Sequence, residues 1–265
     1  MIFYSPIEPI YYILPVIGLI VGLLGTLVGG GGGFVFLPVL VLIIGVPTHT
    51  AVITSLVATL PVGLIGSFVH YKKGNVNVRV GLMFAAAGLF GAFAGVALAN
   101  QFSDDGLQNV FGIYSICMGI YIFFNTQSMD LLTKNITGKT APFTRKTIIK
   151  SSFFGFSAGT ITGAFGTSGA APLLAGLFSL KASIKIVVGT SLLIVASNTI
   201  FAIGSHFLVG KIDLTLVIFL TAGSAIGASI GPLLLSKMDT VKSEGNVRYI
   251  FAVIMALLGI VMIWS

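Results

Sequence analysis

The sequence predicts an all-α polytopic membrane protein with two inverted-topology repeats of about five helical segments each. Two compositional observations predict the class. Apolar residues form 56% of the chain, charged residues form 8%, and the mean hydropathy is +1.08, whereas a soluble domain is about one quarter charged. Ten apolar segments follow one another along the 265 residues. Because the chain is expected in a membrane, the formal net charge of +7 is interpreted as a signal of membrane topology. No nucleic-acid partner is expected.

The apolar segments define the expected helices. They cover residues 10–28, 34–45, 50–70, 80–99, 107–125, 149–166, 170–180, 186–208, 214–235 and 249–264. As helices, segments 34–45 and 170–180 reach only about 17 to 18 Å, against a hydrocarbon core of roughly 30 Å. We expect each to be a short broken or re-entrant helix that forms a hairpin with the segment before it. Two segments that each cross the membrane would leave the termini on the same side as a hairpin does. This alternative therefore stays open.

Basic residues define the expected orientation. If the turn at 71–79 is cytoplasmic, 13 of the 14 Lys and Arg residues fall on the cytoplasmic side and only Lys211 falls outside. Positive charges in short loops are enriched on the cytoplasmic side of membranes. Both termini are therefore expected outside the cell.

Recurring motifs indicate that one unit has been duplicated. The pairs are Gly25-Thr26 with Gly159-Thr160, Gly29 with Gly163, Pro38 with Pro172, Thr54-Ser55-Leu56 with Thr190-Ser191-Leu192, His70 with His206, Gly74 with Gly210, and Gly91 and Gly95 with Gly227 and Gly231. Five segments are an odd number, so the two units are expected in opposite orientations. The expected organisation is a first repeat at 1–125, a basic cytoplasmic linker at 126–148 and a second repeat at 149–265.

A run of five glycines, Gly29 to Gly33, precedes the first short segment, and a second glycine-containing stretch precedes the other. Non-helical backbone at membrane depth survives only inside protein or beside water. The first turn of a helix offers free N–H groups with a partial positive charge, which favours an anion. The expected substrate-binding residues are Gly30, Gly31, Gly32, Gly33, Phe34, Thr54, Ser55, Gly166, Thr167, Ser168, Gly169, Thr190 and Ser191. The alternatives are helix packing for the glycines and bonding to the helix's own carbonyls for the hydroxyls.

The titratable residues do not suggest catalysis. Three histidines and the single Cys117 are scattered, so no catalytic set, metal site or cofactor is expected. His70 and His206 end corresponding segments, where they are either ordinary helix-end histidines or a gate or proton relay. No Asp or Glu lies within the ten segments, which argues against a carboxylate proton relay.

The doubled motif resembles the sulfite exporter TauE/SafE family of membrane permeases. The resemblance rests on GGGGGFVFLPVL followed by AVITSL, then His70, Gly74 and a glycine-rich helix, and it covers nearly the whole chain. It implies a transporter of sulfite or organosulfonate anions in a prokaryotic plasma or inner membrane. The second stretch, GAFGTSGAAP, has fewer glycines than the family usually shows, so the pocket is expected to be asymmetric or the substrate to differ.

The leading hypothesis is a secondary transporter that works by alternating access, with its two halves rocking around a midplane anion site. A passive anion channel built from the same donors is the alternative, and an intramembrane enzyme or a structural scaffold fits less well. The expected partners are a small anionic substrate and the lipid bilayer, and the sequence leaves open a homo-oligomer.

Overall fold

The computed structural model describes residues 2–134, 144–180, 182–207, 212–235 and 240–265. Side chains are described over 3–124, 144–180, 182–207, 212–232, 249–250 and 252–265. Lys211 and the centre of the expected linker, 135–143, lie outside these ranges.

Helices dominate the described chain, as the composition predicts. They are α1 (Leu14–Val28), α2 (Gly33–Pro38), α3 (Thr48–Lys72), α4 (Val78–Ala99), α5 (Asp104–Lys134), α6 (Arg145–Phe165), α7 (Ala170–Ser179), α8 (Ile184–Phe207), α9 (Leu214–Leu235) and α10 (Thr240–Trp264). A 3₁₀ turn at Pro9–Ile13 precedes α1, and a π-helical turn at Val39–Ile43 continues α2. Two-residue strands β1 (Ile2–Phe3) and β2 (Ile212–Asp213) pair in parallel. Within these described ranges, six spans are long and apolar enough to cross a bilayer, which confirms the all-α polytopic membrane fold.

The surface of the bundle is apolar in the way that a lipid environment requires. Phe90, Phe153 and Trp264 are 68%, 66% and 88% exposed, and they belong to a large set of exposed aliphatic and aromatic side chains. Contiguous apolar surface of this kind is rare on soluble monomers. In a bilayer these side chains contact acyl chains, so the protein is a multi-pass membrane protein.

Both ends of the chain lie on one face of the bundle, here called the terminal face. β1 pairs with β2, directly before α9. Gln108, in the first turns of α5, donates from Nε2 to the carbonyl of Met262 over 2.8 Å. The start of α3 joins the same face, because the backbone N–H of His49 donates to Asp104 over 2.8 Å. The opposite face, here called the linker face, carries the starts of α4, α6 and α8.

The first short helix is the returning arm of a re-entrant hairpin. α1 leaves the terminal face, and the helical run Gly33–Ile43 follows it. α3 begins on the terminal face at Thr48, directly after the connection 44–47. The short run therefore returns to the face from which α1 came. A helix of this length reaches only about 16 Å, against a hydrocarbon core of roughly 30 Å, which favours a hairpin over a pair that crosses the bilayer twice.

The second short helix repeats this hairpin from the other face. α6 runs parallel to α4, since Gly155 lies against Phe84 and Gly163 lies against Ala92. α7 follows α6 and ends five positions before α8 begins. The start of α8 is bonded to the residue that precedes α4, so α7 also returns to the face from which its partner came.

The closest helix pairs all join the first half of the chain to the second. α1 packs on α9, α4 on α6, α5 on α10, and α3 on α8. Glycines allow the backbones to approach. A Cβ atom at Gly91 of α4 would overlap the carbonyl oxygen of Phe156, and one at Gly227 of α9 would overlap that of Leu19. These matched contacts are what two equivalent repeats produce, and they give Gly91 and Gly227 a packing role.

Helix ends differ from the sequence expectation on either side of the linker. α5 continues to Lys134 and α6 begins at Arg145, so helical structure enters both ends of the expected range 126–148. α6 begins there because the side chain of Thr144 accepts a hydrogen bond from the backbone N–H of Thr147 over 3.3 Å.

Alanine at Gly91 or Gly227 tests these matched contacts. We expect each substitution to destabilise the protein by about 1–3 kcal/mol, because a methyl group must displace a backbone carbonyl. Denaturation of the purified protein in mixed micelles measures the change. Gly204→Ala is the control, since a Cβ atom at Gly204 in α8 meets nothing within 4 Å. Equal stability of all three variants would contradict the packing.

Candidate functional site

The five-glycine run forms a tight, non-helical turn, here called the first tip (residues 29–33). α1 ends at Gly29, whose φ is +77°, and Gly31 and Gly32 have φ of +69° and +85°. The backbone N–H groups of Gly30 and Gly31 both donate to the carbonyl of Gly25, over 3.0 and 3.3 Å. Glycine is favoured because other residues rarely adopt positive φ.

The second tip (residues 166–170) has the same construction. α6 ends at Gly166, with φ +64°, and Gly169, with φ +56°, directly precedes α7. Gly29 and Gly166 both end a helix in the left-handed conformation, so they are structurally equivalent. The expected match of Gly29 with Gly163 is therefore wrong. Gly163 lies inside α6, because the helix continues two residues beyond it, to Phe165. A Cβ atom at Gly163 would overlap the carbonyl oxygen of Ala92.

The two tips contact each other at the centre of the protein. The Ser168 hydroxyl donates to the carbonyl of Gly30. A Cβ atom at Gly33 would lie 2.8 Å from the carbonyl oxygen of Gly166, and one at Gly31 would lie 3.0 Å from Cβ of Ser168. Residues 29–33 and 166–169 are buried. The structure thus brings both predicted glycine stretches into one buried contact.

A serine from the opposite half holds each tip. Ser55 Oγ on α3 donates to the carbonyl of Gly166 over 2.9 Å, and Ser191 Oγ on α8 donates to the carbonyl of Gly29 over 2.8 Å. Each hydroxyl also lies 2.8 Å from a carbonyl three residues back in its own helix. One hydrogen is shared between two acceptors. Both serines reach the tips, where their hydroxyls bind backbone carbonyls, and their role in substrate binding stays a prediction.

The neighbouring threonines have other partners. Thr54 Oγ1 donates to the carbonyl of Thr50 over 2.9 Å, which is the back-bonding alternative. Thr190 Oγ1 accepts the backbone N–H of Asn77 over 2.9 Å. Thr190 and Asn77 also line a cavity of about 10 Å³, a volume that suits at most one water molecule. Both threonines bond within α3 or to the start of α4, and their hydroxyls have no bond to the tips.

Phe34 lies beside the first tip and outside the tip contact. It lines an apolar pocket of about 110 Å³ between α1, α2 and α10, together with Val28 and Ile254. Gly25, whose carbonyl holds the first tip, also lines this pocket. The Phe34 ring therefore contributes apolar surface behind the tip.

Hydrogen-bond donors without acceptors collect where the tips meet. Among the described residues, the backbone N–H groups of Gly33, Ser168, Gly169 and Ala170 have no hydrogen-bond acceptor. The Thr167 hydroxyl is also unpartnered, and this side chain is only 3% exposed. Buried polar groups are normally paired, so a cluster of free donors is typical of a site for a ligand with several acceptors.

Thr59 on α3 adds a donor that the sequence analysis missed. Its Oγ1 has no partner, its side chain is fully buried, and a Cβ atom at Gly33 would lie 2.9 Å from Oγ1. The equivalent position in α8 is Val195, which also reaches the first tip: its Cγ1 would lie 2.8 Å from a Cβ atom at Gly31. The comparison of repeats selected only residues that both halves share, so it passed over Thr59. A polar residue amid an apolar segment was the available signal.

The two histidines lie apart from each other. His70, near the linker face, is 2% exposed and neither ring nitrogen has a partner. His206, near the terminal face, places Nε2 2.8 Å from the carbonyl oxygen of Gly163. Neither ring bonds to Ser55 or Ser191, and their gating role stays a prediction. In the described ranges, no three His, Cys, Asp or Glu side chains form a group that could hold a metal.

Comparison with known proteins identifies the family of this chain. The model of the family described as sulfite exporter TauE/SafE matches residues 14–262. The probable membrane transporter protein YdhB of Bacillus subtilis is 27% identical over 223 residues, which cover 84% of this chain and 87% of that protein. YunE of the same organism is 24% identical, covering 96% and 98%, and MJ0441 of Methanocaldococcus jannaschii is 25% identical, covering 95% and 94%. Both are also named probable membrane transporter proteins. No solved structure matches the chain. Because the family model covers almost the entire sequence, the chain belongs to the sulfite exporter TauE/SafE family of membrane transporters.

Proposed function

We propose that this membrane transporter is a secondary carrier of small sulfur-containing anions, sulfite or organosulfonates, and that it works by alternating access around the contact between the two tips. The observation that carries this proposal is the cluster of unpartnered donors there: the hydroxyls of Thr59 and Thr167 and the free backbone N–H groups of both tips. The ligand crosses unchanged, so no catalytic step is involved.

The chemistry of the donors suits this substrate class. A sulfite or sulfonate group has three oxygens that accept several N–H and O–H bonds at once. The first turns of α2 and α7 add partial positive charge at the same place. Among the side chains that the structure describes, the carboxylates of Asp104, Asp105 and Asp213 lie at helix ends on the terminal face, away from the tips. A site of neutral dipoles can bind an anion and release it again.

The buried contact favours a carrier over an open channel. Residues of both tips are buried, and the bonds from Ser168 to Gly30 and from Ser191 to Gly29 join the halves of the chain. Transport requires the tips to separate towards one face at a time. The close pairs α1 with α9 and α4 with α6 suggest moving bodies that each combine helices from both halves of the sequence.

The orientation follows from the basic residues at the two faces. Lys72, Lys73, Arg79, Arg145 and Lys185 lie at the helix ends on the linker face. By the positive-inside tendency this face is cytoplasmic, and both termini are outside. We expect a prokaryotic plasma or inner membrane, because the relatives named above come from Bacillus subtilis and Methanocaldococcus jannaschii.

Substitution of Gly31 by alanine tests the carrier in proteoliposomes loaded with radiolabelled sulfite. We expect a loss of flux of roughly tenfold or more, since crowding in a packed site costs about 1–3 kcal/mol. The added Cβ atom would lie 2.8 Å from Val195 and 3.0 Å from Ser168. Gly45→Ala is the matched control, because Gly45 has φ +75° but meets nothing within 4 Å.

If Gly31→Ala transported sulfite at the wild-type rate, the tips would not belong to the transport path. If wild-type liposomes moved neither sulfite nor a sulfonate faster than empty liposomes, the substrate class would be wrong. Unitary currents in planar bilayers without saturation would favour the channel alternative.

Valine at Thr59 tests the unpartnered hydroxyl with almost no change of shape. We expect the ligand-free protein to be as stable or more stable, because a buried hydroxyl without an acceptor costs about 1–3 kcal/mol. Sulfite affinity should fall by roughly tenfold, which corresponds to about 1.4 kcal/mol. The shift of the melting temperature with sulfite concentration measures both quantities. Thr160→Val is the control, since the Thr160 hydroxyl bonds within α6. An unchanged affinity in Thr59→Val would exclude Thr59 from the site.

A further inference from the structure

We propose that Asn198 on α8 is a selectivity residue of this site, and that its side-chain amide recognises a hydroxyl or amino group carried by an organic anion beside its sulfonate group. The inference rests on the proposed function and deepens it. It assigns the part of the site that distinguishes a substituted organosulfonate from an unsubstituted one.

The Asn198 amide is buried without any partner. The side chain has no exposed surface, and neither Nδ2 nor Oδ1 makes a hydrogen bond. A side-chain amide has two donor hydrogens and one acceptor oxygen, so several bonds are unmade. Buried amides are unfavourable in this condition, and nearly all in native structures are paired. A ligand that supplies the missing partners explains why a polar residue occupies this position.

Asn198 lies one helical turn beyond a residue that contacts the first tip. Val195, three positions earlier on the same face of α8, reaches Gly31 through Cγ1. Residues three apart on a helix are neighbours on its surface. The amide therefore follows the tip contact along α8 towards the terminal face.

The amide also lies against α4, which packs on the helix behind the second tip. A Cβ atom at Gly88 of α4 would overlap Oδ1 of Asn198, so only glycine leaves room for the amide. A Cβ atom at Gly159 of α6 would overlap the carbonyl oxygen of the same Gly88. A Cβ atom at Gly169 of the second tip would overlap the carbonyl oxygen of Ala158, which precedes Gly159. Asn198 thus lies where α8 packs on α4, and α4 in turn packs on the stretch of α6 that backs the second tip.

The chemistry of this amide differs from that of the tips. The tips and Thr59 offer N–H and O–H donors, which suit the oxygens of a sulfonate. Oδ1 of Asn198 is an acceptor, and it suits an O–H or N–H group on the rest of the ligand. The equivalent residue in the first half is Val62, given the spacing of the equivalent Ser55 and Ser191, and Val62 is fully buried and apolar. The acceptor is therefore present on one side of the site only, which gives the ligand a single orientation.

The test compares two probes that differ by one hydroxyl group, 2-hydroxyethanesulfonate and ethanesulfonate. Sites that hydrogen-bond a ligand hydroxyl discriminate against the analogue without it. We expect the wild-type protein to bind 2-hydroxyethanesulfonate about tenfold more tightly, and Asn198→Val to reduce that preference to below about twofold while it keeps its affinity for ethanesulfonate. Asn198→Thr has the shape of valine but keeps a hydroxyl, so it should retain part of the preference. Isothermal titration and competition against sulfite flux measure the affinities.

Each outcome supports or overturns the inference. An unchanged preference in Asn198→Val overturns it, and so does an equal loss of affinity for both probes, which indicates a merely structural role. Wild-type protein that binds both probes equally well overturns the inference but leaves the proposed function intact. Wild-type protein that binds neither probe nor sulfite overturns both. Should Asn198→Val fail to fold, Asn198→Thr carries the comparison, and its failure to fold assigns Asn198 to stability instead.

Discussion

The requirement that backbone N–H and C=O groups find partners inside hydrocarbon governs this structure. Two helices end inside the protein, and each leaves carbonyls that lipid cannot satisfy. Ser55 and Ser191 supply the missing donors, and each comes from the other half of the chain. The carbonyls of Gly29 and Gly166 are thus paired, whereas the N–H groups of Gly169 and Ala170 at the start of α7 are not. The centre of the protein therefore has more unpaired hydrogen-bond donors than acceptors. Backbone geometry produces this surplus without charged side chains.

Glycine serves two distinct purposes in this chain. In the tips, positive φ at Gly29 and Gly166 lets a helix end and the chain turn back. In α4 and α9, glycines such as Gly91 and Gly227 bring backbones of the two halves together. Both purposes connect the halves, so the tips are held by helices that themselves depend on the opposite repeat.

Composition was sufficient to predict the membrane class. Segment length favoured the two hairpins, because hydrocarbon thickness leaves few solutions for an apolar run of eleven residues. Alignment of the repeats failed at the tips. It followed the shared Gly-Thr pair, but where a helix ends depends on its cap, and α6 extends to Phe165, where Gly166 caps it. Thr59 and Asn198 were missed because each has an apolar counterpart. Thr54 and Thr190 were expected in the site because both halves share them, yet their hydroxyls bond elsewhere.

The pairing of α1 with α9 has a consequence for biosynthesis. About 190 residues separate the end of the first helix from the start of its main partner. At roughly 5–20 residues per second, the ribosome needs about 10–40 s to deliver that partner. Throughout this interval the glycine face of α1 is covered only by lipid or by the insertion machinery. The nascent amino-terminal half is thus an incomplete folding unit, and a chain truncated after it would be a substrate for membrane quality-control proteases.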